Sequence, residues 1–172
     1  MLYNPIWLKQ SQLEQIPIGS VFCFGEEENV MKYKNEKEIL EIIENFENCT
    51  IERGTWGHPE HLILAYHFAS NNDFETALTK MRDGIFGLLK SFEIDLTKEM
   101  PYHETLTVFW MRTIYDFAKE RKGYSVVSLV DELIEKFGKN YPSKFYSHDL
   151  LFSERARTEF VEGDFATPDK VQ

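Results

Sequence analysis

Cysteine is nearly absent from this chain. Cys23 and Cys49 are the only two in 172 residues, too few for a disulfide framework and not spaced as C-x-x-C. Cations are scarce as well: 19 Lys and Arg against 29 Asp and Glu leave a net charge of −10. The acidic run "GEEEN" and the one short basic run, "KERK" at residues 119–122, argue against binding a nucleic-acid backbone, which needs clustered cations. No stretch approaches the roughly 20 apolar residues of a membrane helix. The start, "MLYNPIWLKQSQLEQ", lacks the apolar centre of a signal peptide, so a cytoplasmic protein with no membrane partner is expected. There is no G-x-S-x-G, no Walker loop and no dinucleotide-type glycine turn, and neither repeats nor low-complexity tracts interrupt the chain.

Aromatic residues, by contrast, are plentiful. They make up 15% of the chain within a hydrophobic content of 42%, which suits a single domain with a dense core or an aromatic-walled pocket. Residues 1–35 read as an N-terminal arm, in which "SVFCF" and "VMKYK" can pair as a short β-hairpin across "GEEEN". Residues 36–165 read as an all-α, up-and-down helical bundle, and residues 166–172 as a disordered tail.

The helical period starts at "NEKEILEIIENFEN", where Ile39, Ile42, Ile43 and Phe46 form one stripe behind the capping residue Asn35. A second helix starts at "HPEHLILAYHFA", with Pro59 in its first position and His58 as its cap; it is apolar nearly all round and should be central. Asn72 and Glu75 have capping-box spacing for a third, whose stripe includes Phe74, Ala77, Leu78, Met81, Ile85 and Leu88. Gly84 and Gly87 either weaken that stripe or admit a close helix contact. Pro101 precedes a fourth helix facing the core with Leu106, Phe109, Trp110, Thr113 and Phe117. "SVVSLVDELIEKFG" makes a fifth, "KNYPSKFYSHDLLF" reads as a loop, and Ser153 caps a short last helix.

Short links make successive helices antiparallel, so the second and fourth begin at the same end of the bundle. Each begins with histidine. His58, His61 and His103 are therefore expected to share a site, with Glu47, at the end of the first helix, and Glu104 beside them. Tyr141, Tyr146, His148 and Asp149 from the loop are expected at the same end. His67, six residues past His61, faces elsewhere.

Imidazole and carboxylate are ligands for Zn, Fe, Ni or Mn, so a divalent metal held by His58, His61 and His103 is one expectation. Glu104 or Glu47 would be the general base, and Trp56, Tyr102, Trp110 and Tyr146 would contact a small-molecule substrate. Helix N-termini attract anions and keep imidazole neutral, so an anionic small ligand without metal is the rival. A non-catalytic helical interaction module is the other alternative. Each residue also has a plain structural reading: His58 as a cap, Glu60 as a dipole partner, and Tyr102 and His103 as satisfied polar groups at the core edge. A thiol nucleophile at Cys49 near His58 is the least favoured chemistry.

At "FENCTIERGTWGHPEHLILAYHF", "PYHETLTVFWMR" and "FYSHDLLFSERARTEFVE", the chain resembles an uncharacterised family of small bacterial all-helical proteins. The family carries F-E-x-C-T, H-x-x-H-[LV], Y-H-E-T-[IL]-T and Y-S-x-x-x-L-[FM]-S. The resemblance covers residues 46–162 and leaves the arm out. Its motif positions fall on Glu47, Cys49, His58, His61, Tyr102, His103, Glu104, Thr105, Thr107 and Ser153, while His148 stands at a variable one. It implies a site at these residues and no particular reaction.

Overall fold

The computed structural model describes Tyr33 and residues 35–98 and 101–165. Among these residues the chain is all α, an up-and-down bundle without strands. The expected hairpin and the tail at 166–172 lie outside them, as does Cys23.

Helix α1 spans Glu36–Glu47, with the Asn35 side chain accepting from the Glu38 N–H at 3.1 Å. It buries Ile39, Ile43 and Phe46. Helix α2, His58–Asn71, buries every residue from Leu62 to Tyr66 together with Phe68 and Ala69, and packs against all four other long helices. It begins one residue earlier than its sequence suggests. Gly57 is the extended residue before it, so His58 is already helical and Pro59 occupies the second position. His58 is thereby released from capping, and its ring turns inward.

Helix α3 spans Phe74–Ser91. Its cap is Asp73, which accepts from the Thr76 N–H at 3.0 Å, rather than Asn72. Asn72 instead closes α2, donating from its side chain to Phe68 O at 2.9 Å. Gly84 permits a close helix contact: the Phe46 ring lies where a side chain would start, 2.1 Å from an added Cβ.

Helix α4 runs over Glu104–Glu120 and α5 over Val126–Lys136, the latter capped by Ser125. From Thr105 to Met111, α4 is buried on every side, a broader burial than a single stripe provides. The stretch expected to be loop contains a 3₁₀ turn, Tyr141–Lys144, and a one-turn helix α6, His148–Leu151. Helix α7, Glu154–Thr158, follows, capped by Ser153 as expected. No helix among the described residues is long and apolar enough to cross a membrane.

Candidate functional site

The first turn of α2 carries three polar side chains with separate duties. His58 is buried, and its Nε2 lies 2.6 Å from Phe137 O, at the end of α5. A carbonyl can only accept, so Nε2 carries the proton. The ring also packs on Trp110, with centroids 4.9 Å apart. Glu60 is buried and accepts a 2.5 Å bond from the Tyr33 hydroxyl. Burial, and then Glu60 itself, push the Tyr33 phenol above its usual range.

His61, partly buried one turn from His58, accepts at Nε2 from the Trp56 indole N–H at 2.6 Å. Indole only donates, so the proton of neutral His61 sits on Nδ1. Burial, and then the charge His58 can carry, pull the His61 pKa down to about 3. Trp56 is itself stacked on Phe46, at 5.2 Å between centroids, so the α1–α3 contact at Gly84 supports the indole that orients His61.

The first turn of α4 is built differently. His103 is its cap: Nδ1 accepts from the Leu106 N–H at 3.3 Å, and Nε2 lies 2.8 Å from Leu151 O. Burial lowers its pKa to about 4, with the bond to Leu151 working the other way. Glu104 is clamped by Arg82 of α3, through Nε and a second guanidinium nitrogen, and accepts from the Tyr102 hydroxyl at 2.5 Å. Burial and the bond to Glu104 push the Tyr102 phenol up to about 12, against the pull of Thr107 and Arg82. Thr105 accepts from Val161 N–H at 3.1 Å and donates to Glu159 O at 2.9 Å. Thr107 donates to His103 O at 3.0 Å.

Between these two starts lies a cavity of about 20 Å³, lined by His58, His61 and Ala65 of α2, Met81 and Ile85 of α3, and Thr107, Trp110 and Met111 of α4. That is room for roughly one water molecule. The cavity brings together His58, His61 and Trp110, with Trp56 against His61. It does not include His103, whose nitrogens are both engaged elsewhere. Among the described residues, no group of three or more His, Cys, Asp or Glu side chains is arranged to hold a metal ion.

Of the three histidines, the structure thus places His58 and His61 on the cavity lining and His103 off it. The reason is the chain after α5: it folds across the start of α4 and takes His103 Nε2 at Leu151. Glu47 is exposed, and the imidazole its charge acts on is His67. His67 does not line the cavity, as expected. His148 is a surface residue beside Asp149. Tyr146 is buried, but its hydroxyl donates to Val161 O at 3.0 Å, away from the histidine pair. Cys49 is partly buried and belongs to the packing against the core. Arg82, Met81, Ile85 and Met111 carried no functional signal in the sequence. Arg82 in particular stands within an ordinary amphipathic helix, and its partner comes from another helix.

Compared with family models, with curated proteins and with solved structures, the chain matches none.

Proposed function

We propose that the protein binds a small polar molecule at the cavity between the first turns of α2 and α4, and acts on it through the imidazoles of His58 and His61. The observation that carries this reading is the cavity lining: two histidines from one helix face, with Thr107 and Trp110 opposite, around space for one small group. A neutral imidazole offers a ligand one hydrogen-bond donor and one acceptor, and burial holds His61 neutral near pH 7. Trp56 and Trp110 supply the aromatic sides that orient a ligand. Only the reacting end of a substrate fits the cavity, and the remainder would lie toward the partly buried Trp56.

In this reading Glu104 is a positioning residue, not the general base. Its oxygens are committed to Arg82 and Tyr102, and taking a proton would first require that ion pair to open. A three-histidine metal centre does not fit, because His103 would have to abandon both Leu106 and Leu151, so no step is routed through a metal.

The test is thermal denaturation of the protein against panels of small carboxylates, phosphates, alcohols and amines. A ligand at a hundred times its Kd stabilises by about 2.7 kcal/mol. Stabilisation of the wild type should be lost in His58→Gln and His61→Gln and kept in His67→Gln. Protection by no compound, or equal loss in His67→Gln, overturns the reading. Protection without turnover of the compound would turn the enzyme into a binding module.

A further inference from the structure

Helix α4 presents a second stripe, turned away from the histidine pair. Thr107, Trp110 and Met111 line the small cavity, whereas Phe109, Arg112, Thr113 and Asp116, at i, i+3, i+4 and i+7, line a separate groove. The groove's volume is about 510 Å³, within the range that small-molecule sites occupy. Its other wall is Phe145 and Tyr146, ahead of α6, together with the segment that returns after α7. The two cavities share no lining residue.

That wall is fastened at several points. Thr105 holds Glu159 and Val161, Tyr146 holds Val161 O, and Phe165 N–H donates to Phe145 O at 3.0 Å. Asp164 accepts from the Ser147 N–H at 2.6 Å. The approach at Gly163 leaves no room for a side chain, since an added Cβ would stand 2.3 Å from Phe145 O. The groove is therefore a formed feature of the fold.

We propose that this groove binds a small organic cation carrying an apolar group, of the aryl- or alkylammonium class. Two properties of the groove select that chemistry. Five of its lining residues are aromatic, including Phe145, Phe160 and Phe165, and the face of an aromatic ring attracts cations. The molecule already uses one ring this way: the Arg112 guanidinium lies 4.1 Å from the Phe160 centroid. The ionic groups of the lining are Asp116, Glu162 and Arg112, two carboxylates to one guanidinium. Arg112 pairs with Glu162 at 3.0 Å and Asp116 with Lys119, which stands outside the lining, at 3.3 Å, both of them exposed pairs of the kind that contributes little and exchanges readily. An entering ammonium can take the place of Lys119 at Asp116 while it rests on the rings, whereas an anion meets both carboxylates and the strongly acidic surface of a chain with net charge −10.

The probes are phenethylammonium and phenylacetate, the same ring with opposite charge, titrated into the full chain and followed by amide NMR. Phenethylammonium should bind saturably and shift the amides of Phe145, Phe160 and Gly163, while phenylacetate should leave them in place. Affinity for phenethylammonium should fall about tenfold in the Asp116→Asn, Glu162→Gln double variant, the loss expected for two exposed charge contacts. Both positions are exposed, so the variant should fold, which its spectrum verifies directly. Equal binding of phenylacetate, binding of neither probe, or unchanged affinity in the double variant would overturn the proposal.

Discussion

The bond from the Trp56 indole to His61 Nε2 determines where the imidazole proton resides, and so what His61 can offer a ligand. With Nε2 taken by a donor, the proton is left on Nδ1. Trp56→Phe keeps an aromatic ring against Phe46 but removes the donor. Side-chain ¹⁵N NMR should then show His61 shifting from the Nδ1–H tautomer toward Nε2–H; an unchanged tautomer would show that the indole does not set it. A second consequence concerns pH. His61 and His103 are held at about 3 and about 4, both below the unfolded value of about 6.5. The unfolded chain therefore takes up protons that the folded chain refuses. The stability due to these neutral imidazoles is complete above about pH 6.5 and is lost as pH falls toward those folded values. Near pH 5.5, above most carboxylate titration, each histidine should cost about 1.4 kcal/mol. Urea denaturation should show a lower midpoint there than at pH 7.5, and equal midpoints would contradict the assigned burial.

At the scale of elements, the close contact of α1 with α3 and the fastening of the C-terminal segment to α4 are the two features open to direct attack. Gly→Ala within a helix ordinarily stabilises, because it reduces the freedom of the unfolded chain. Gly84→Ala should do the opposite, by about 1–3 kcal/mol, because the new methyl group would meet the Phe46 ring. It should also loosen Trp56, which rests on that ring. Denaturation curves check the sign, and a stabilised variant would refute the contact. Thr105→Val should release Val161 and Glu159 together, costing about 1–3 kcal/mol for backbone groups left without their partner. Hydrogen exchange should rise at residues 159–165 and remain unchanged in α2; unchanged protection at 159–165 would contradict the fastening.

The helices themselves were largely legible. The stripe of α1, the all-round apolarity of α2 and the caps Asn35 and Ser153 can be read from spacing and residue type. The starts of α2 and α3 each lie one residue from where the sequence pattern puts them. His58 and Asn72 are plausible caps in isolation, and only the packed structure shows that Phe137 and Phe68 claim their side chains. Helix α6, a single turn, is too short to display a period.

Across the whole molecule, alternating helices bring polar residues together at the starts of α2 and α4, and that part of the site follows from topology. What topology leaves open is how each side chain is used once residues 138–165 fold over the bundle. His103 and Thr105 are spent on that closure at Leu151, Glu159 and Val161, and Glu104 is held against α3 by Arg82. Sequence spacing marked these residues as special without separating the fastening groups from the pair that faces the cavity. The pair of His58 and His61, distinct from a fastening His103, is the central claim. Its most direct test is the ¹⁵N NMR spectrum of the histidine rings in tag-free protein near pH 7, recorded with and without a chelator. His61 should be neutral and protonated on Nδ1, His103 neutral and protonated on Nε2, and chelation should change neither. A metal-coordinated signal from His103 that disappears with the chelator, or a His61 that is already cationic near pH 6, would contradict it.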